Sequence, residues 1–99
     1  MLTKKFLLKQ KRVLLAKKRS VVAAIRKLND QPLTDHVLYK LTTELPLIER
    51  ALTRIEKGIY GRCVNCREDI PAARLTVRPE TVRCVDCQAQ YERFVHDQR

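Results

Sequence analysis

Apolar residues recur in pairs along the first third of the chain. Leu7 and Leu8, Leu14 and Leu15, and Val21 and Val22 stand seven residues apart, and Ile25 and Leu28 continue the same face. No glycine or proline interrupts residues 2–28. That period predicts one amphipathic helix of about 27 residues, about 40 Å long. Asn29 to Asp35 then breaks the pattern, with Pro32 unable to continue a preceding helix and Thr34 or Asp35 placed to cap the next one. Beyond it Leu38, Leu41, Leu45, Ile48, Leu52, Ile55 and Ile59 alternate spacings of three and four, the seam of a coiled coil. Lys57 and Gly58 supply a basic last turn and a glycine stop. Two helices of similar length around a short breaker should fold back as an antiparallel hairpin. Pro46 lies inside the second helix, but the seam keeps its phase across it, so the expectation is a kinked, continuous helix. A true break at Pro46 is the alternative.

The remaining third is written differently. Gly61 permits a turn, and Pro71 to Arg74 suits a single helical turn. Leu75 to Arg78 and Thr81 to Cys84 flank Pro79 and Glu80 and read as two short strands. A last helix begins around Asp86 and Cys87, with Tyr91, Phe94 and Val95 as its apolar face. The fold expected is mainly α: an antiparallel coiled-coil hairpin over 1–57, with its tip at about 29–35, and a small module over 58–99. That module would hold a short β-hairpin and a C-terminal helix.

Charge sharpens this picture. The chain of 99 residues carries a net charge of +10, from 21 basic and 11 acidic residues. Lys4, Lys5, Lys9, Lys11, Arg12, Lys17, Lys18, Arg19, Arg26 and Lys27 all fall on the first predicted helix, which has no acid. The other eleven bases match the eleven acids, so the whole excess belongs to that helix. Such a segment seeks a polyanion. The early run Phe6-Leu7-Leu8 is cut by Lys9, too short for a signal-peptide core or a membrane span. A cytoplasmic, reducing setting is expected, with no membrane contact.

The candidate chemistry is carried by the four cysteines. Cys63 and Cys66, and Cys84 and Cys87, form two C-x-x-C pairs separated by seventeen residues. Each pair lets two thiolates from one tight turn reach one ion. Four such ligands suit tetrahedral Zn²⁺ and leave no open position for substrate, so one structural zinc is expected. Two disulfides would need an oxidising compartment, and a redox C-x-x-C would follow a strand in an α/β pattern. An iron centre and inert core thiols complete the alternatives. Four thiolates on zinc leave a formal charge of about −2, which Arg62, Arg67 and Arg83, adjacent to ligands in sequence, could offset. His36 and His96 are isolated, and no nucleophile–base or carboxylate pair presents itself, so an enzyme is not expected.

The words around these cysteines carry a resemblance. Ile55-Glu56-Lys57-Gly58-Ile59-Tyr60-Gly61-Arg62-Cys63, with Cys66, then Ile70-Pro71-Ala72-Ala73-Arg74-Leu75, Arg78-Pro79 and Cys84-Val85-Asp86-Cys87-Gln88, closely resemble the TraR/DksA zinc-finger family. The resemblance covers roughly residues 48–92. It implies a transcription regulator that binds bacterial RNA polymerase; a monomer is expected. The coiled coil would enter the secondary channel, with acidic tip residues near the catalytic magnesium, and modulate initiation. Asp30 and Asp35 are the only acids at the tip here, five residues apart where the family's usual tip is a tight Asp-x-x-Asp. Arg78 matches a basic residue that in longer members contacts (p)ppGpp together with polymerase. Leu47 and Gln88 stand where other basic contributors are found, which implies weak or no (p)ppGpp dependence. Arg67 replaces the glycine common after the second cysteine, where a positive φ is often wanted.

A rival reading from another class is a sequence-nonspecific nucleic-acid-binding zinc protein that lays its basic first helix along a phosphate backbone. The zinc module lacks interleaved aromatics for base stacking, so such binding would be sequence-blind and salt-sensitive. A third is a small zinc-stabilised protein whose hairpin serves to dimerise.

Overall fold

The computed structural model describes residues 2–27 and 35–97, apart from the side chain of His36. Helix α1 spans Lys4–Arg26. It starts where Thr3, in extended conformation, accepts a hydrogen bond from the Phe6 amide at 3.0 Å, satisfying a donor of the first turn. Its inward face buries Gln10, Leu14 and Val21.

The second arm is helical without interruption from Asp35 to Glu56, in three parts: α2 (Asp35–Tyr39), a π-helical segment (Lys40–Glu44) and α3 (Leu45–Glu56). Pro46 is the cause of the middle part. A regular α-helix would press its ring against the carbonyl four residues back and leave that carbonyl without a donor. Widening the preceding turn removes the clash, and the Leu45 amide reaches Lys40, five residues back. The expected continuous helix is present, and the proline is absorbed as a π-bulge.

The bulge corrects the predicted seam. Leu45, Ile48, Leu52 and Ile55 pack on the core as expected. Leu38 and Leu41, on the far side of the bulge, are 40% and 43% exposed, while Val37 is only 4% exposed. One extra residue in a turn rotates everything before it by about one helical position, so Val37 replaces Leu38 on the inner face.

The two arms run antiparallel. Gln10 meets Tyr60 near one end, and Lys18 meets Glu49 further along, so partner numbers fall as α1 advances. Gly58, at φ 72°, closes α3 in a Schellman motif: its amide bonds to Ile55 and that of Ile59 to Arg54, at 3.1 and 3.0 Å.

The predicted β-hairpin does not form among the described residues. Where Leu75 to Arg78 were expected to be extended, α4 spans Ala72–Val77, with Pro71 capping two alanines that favour helix. Without that partner, Thr81 to Cys84 has no strand to pair with. The Arg83 carbonyl is taken instead by Arg74 Nε and the Thr81 hydroxyl, at 3.1 and 3.3 Å. The one bridge among the described residues is antiparallel, between Arg62 and Asp69 in the first cysteine turn. Helix α5 spans Val85–Asp97, close to where it was expected, but Tyr91, Phe94 and Val95 face outward.

Among the described residues a single apolar cluster joins hairpin and module: Leu14, Val21, Ile48 and Ala51 from the hairpin helices, Tyr60, Cys63, Ile70 and Leu75 from the module. No helix among the described residues is long and apolar enough to cross a membrane.

Candidate metal centre and adjoining surfaces

The two cysteine pairs converge from different local structures. The first sits in a tight turn in which the Cys63 amide donates to Glu68 at 2.9 Å and the Arg67 amide returns to Cys63 at 3.0 Å. Closing that turn requires Arg67 at φ 64°, the left-handed region, as the usual glycine at this position implies. The second pair straddles the start of α5. Cys84 precedes the helix, Cys87 lies in its first turn, and the Cys87 amide approaches Cys84 Sγ at 3.5 Å. The Val64 amide bonds the Val82 carbonyl at 2.9 Å and ties the two turns together.

All four sulfurs lie within 4.8 Å of one another, and Cys66 and Cys84 are 3.8 Å apart. A zinc tetrahedron with Zn–S bonds of about 2.3 Å has edges of about 3.8 Å, so the donor set has the size the ion needs. Its proton chemistry agrees. Burial pushes the Cys63 thiol up, but amides of Cys66, Cys84 and Asn65 and the Cys66 thiol hold it down at about 6. Cys87 is pushed up to about 12, chiefly by hydrogen bonding with Cys84 and then Cys63. Cys66 is raised too: although the Glu68 amide favours its thiolate, burial and the Cys63 side chain outweigh it. Protein groups alone therefore favour the thiolate at Cys63 and disfavour it at Cys66 and Cys87, an imbalance that a cation at the centre would offset.

The centre is braced from α1. Gln10 is 1% exposed, and its amide nitrogen donates to the Tyr60 hydroxyl at 3.0 Å and to the Leu75 carbonyl at 2.8 Å. Tyr60 in turn donates to the Pro79 carbonyl at 2.9 Å. Burial pushes the Tyr60 hydroxyl up, against the opposing effect of Gln10. Sequence reasoning missed Gln10. The signal available was a lone uncharged polar residue among lysines, on the side of the helix shared with Leu14 and Val21.

Of the arginines next to ligands, Arg83 donates to Asn65 Oδ1 at 3.1 Å in the first cysteine turn and stacks 4.0 Å from the Tyr91 ring centre. Arg62 and Arg67 are exposed. Arg54 donates to the carbonyls of Ile59 and Arg62, which fixes the entry into the first cysteine turn.

Arg78 opens onto a cleft of about 310 Å³ that Leu47 and Gln88 also line, the three positions that the family resemblance assigns to one effector site. Arg50, Arg74 and Arg83 line it as well, with Glu80 as the acid, 3.9 Å from Arg78 Nε. Burial, and next the charge of Arg83, lower the Arg50 pKa from its ordinary value. Asp35 is the exposed first residue of α2, and Asp30 lies outside the described residues. His96 sits exposed in the last turn of α5. Lys17 pairs with Glu80 at 3.0 Å and Lys18 with Glu49 at 3.8 Å. Lys4, Lys5, Lys9, Lys11, Arg12, Arg19, Arg26 and Lys27 are exposed and pair with no acid among the described residues.

Comparison with known proteins fits the centre and the hairpin together. A family model described as the prokaryotic dksA/traR C4-type zinc finger matches residues 58–93. A solved structure of Dks from Chlamydia trachomatis L2, described as an RNA polymerase binding protein and transcriptional regulator, is 33% identical. The match covers 96% of both chains with a TM-score of 0.74. The chain belongs to the TraR/DksA family.

Within that family, the four cysteines are a C4 zinc finger holding one structural zinc. The DksA2 structure from Pseudomonas aeruginosa, 24% identical, shares the fold over 93% of this chain and 81% of its own, with a TM-score of 0.55. A curated DksA of Caulobacter vibrioides, described as an RNA polymerase-binding transcription factor, is 44% identical over 46 residues. An uncharacterized Aquifex aeolicus protein is 48% identical over the same length. Each of these matches takes in 46% of this chain and 32% of the relative, so it spans about a third of the relatives' length.

Proposed function

We propose that this protein is a transcription regulator that binds RNA polymerase, inserts its helical hairpin into the secondary channel and modulates initiation. One observation carries the reading: the 33% identity to the Chlamydia regulator extends over 96% of both chains, hairpin as well as finger. The zinc finger, residues 58–99, is then the base, and residues 1–57 are the arm that reaches into the enzyme. The Gln10 bridge and the shared core supply stiffness between them, which an inserted arm requires. Asp30 and Asp35 are the acids offered at the tip, and Arg78 is the contact to polymerase or effector at the cleft. Neutral Leu47 and Gln88 in that cleft favour weak or no (p)ppGpp dependence. The protein acts as a cytoplasmic monomer without catalysis of its own.

The test is binding of the zinc-loaded protein to bacterial RNA polymerase core at near-physiological salt. Binding that a known secondary-channel ligand displaces is expected. Asp30→Asn with Asp35→Asn should then weaken the effect on transcription and leave binding in place. Absence of polymerase binding, or binding indifferent to the competitor, overturns the reading.

A further inference from the structure

Helix α1 packs through the side that carries Gln10, Leu14 and Val21. At about 100° per residue, seven of the eight unpaired cations fall on the opposite half of its circumference, and Lys11 lies at its edge. They are also periodic. Lys5, Arg12, Arg19 and Arg26 follow one another every seven residues, each beside a second base: Lys4, Lys11, Lys18 (paired with Glu49) and Lys27. Seven residues of helix advance about 10.5 Å, close to the rise of three nucleotides along one strand of a duplex, about 10.2 Å. At the start of the strip, Lys5, Lys9 and Arg12 line a shallow groove of about 280 Å³ with Thr3 and Phe6.

We propose that this outward face of α1 binds the phosphate backbone of duplex nucleic acid without reading sequence, a role separate from polymerase binding. The chemistry of the face selects among polyanions. An amphipathic helix on a membrane inserts its apolar side, and here that side is built into the core. A protein interface is organised around an apolar centre, and Leu8 is the one exposed large apolar side chain on α1. What remains is a regular array of charge with few apolar contacts, and the partner of that form is a phosphate backbone. No aromatic is exposed on α1 to stack bases, so affinity should come from counterion release and be blind to sequence.

The test uses the zinc-loaded protein and random duplex DNA, followed by fluorescence anisotropy from low to near-physiological salt. With about five phosphates neutralised, log K should fall against log salt with a slope of about −4.5. Lys5→Gln, Lys9→Gln and Arg12→Gln together should reduce that slope by about 2.7. Lys57→Gln, Arg62→Gln and Arg93→Gln, an equal loss of charge elsewhere, should change it little. Helical circular dichroism and one zinc per chain verify folding, and Arg19→Gln with Arg26→Gln is a second variant should the first misfold. No binding at low salt, or equal loss in both triple variants, overturns the proposal. So does tighter capture by anionic phosphatidylserine vesicles than by DNA, because the partner would then be a lipid surface.

Discussion

The side-chain amide of Gln10 donates to the hydroxyl of Tyr60 across 3.0 Å in a site closed to solvent, fifty residues apart in the chain. Its second proton goes to the Leu75 carbonyl, and Tyr60 passes its own proton to Pro79. Both donors are satisfied, and no buried side-chain polar atom among the described residues is left without a partner. The hairpin therefore meets the zinc finger through directional bonds as well as through apolar contact.

Gln10→Leu should destabilise the zinc-loaded protein by about 1–3 kcal/mol, because the Leu75 carbonyl loses its donor in a buried setting. Tyr60→Phe should cost about 0.5–1.5 kcal/mol. Urea unfolding of both variants and the double mutant would give the coupling between them. Costs that simply add would mean the two residues do not act as a unit.

Tyr60 also predicts an alkaline limit. Its folded pKa is raised above the ordinary 10.0. Its contribution is then complete below pH 10 and lost as pH rises through the folded value. Stability measured from pH 8 upward should fall less steeply in Tyr60→Phe than in the parent. Parallel curves would remove Tyr60 from the account.

Removal of zinc should loosen more than the finger. Cys63 is part of the same buried cluster as Leu14 and Ile48, so the ion and the hairpin core are linked. A strong chelator, or Cys63→Ser, should lower the midpoint of thermal unfolding monitored at helix wavelengths, with metal content falling from one zinc per chain. A hairpin that melts unchanged after zinc loss would show the two parts to be independent.

Arg67 occupies left-handed backbone at φ 64°. Arg67→Gly should relieve about 1 kcal/mol and raise the melting temperature by a few degrees, while Arg67→Val should do the reverse. Equal stability of all three would mean that the turn relaxes around its side chain.

Pro46 sets which residues of the distal arm face inward. In the parent, Val37→Asp should destabilise more than Leu38→Asp, by about 1 kcal/mol or more, since only Val37 is buried. In a Pro46→Ala background a regular helix becomes possible and the order should narrow or reverse. An unchanged order would mean that the π-bulge is held by its surroundings and not by the proline.

Much of the fold was legible because its determinants are local and periodic. The apolar pairs of α1 and the three–four spacing from Leu45 to Ile55 are set by helix geometry. Gly58 marked the helix end because a left-handed residue was needed there. The zinc ligands were legible for a related reason: a C-x-x-C turn brings two sulfurs together whatever surrounds it. Arg67 was flagged by the family resemblance, which has a glycine there, and its φ is the one expected.

What the sequence left undecided depends on partners distant in the chain. A run such as Leu75 to Arg78 becomes a strand only when another strand offers its backbone. Here Pro71 starts a helix first, and Gln10 from α1 takes the Leu75 carbonyl. The phase shift at Val37 follows from how one proline is accommodated, which a seam read residue by residue does not encode. The meeting of Arg78 with Arg50, Arg74, Leu47 and Gln88 arises only when α3 is laid against the finger. The sequence by itself determined the long helices and the two C-x-x-C turns, since each needs only neighbours a few residues away. The tertiary structure alone decided the Gln10 bridge, the arginine cleft and which face of α1 stays in water, because those rest on contacts between segments far apart in the chain.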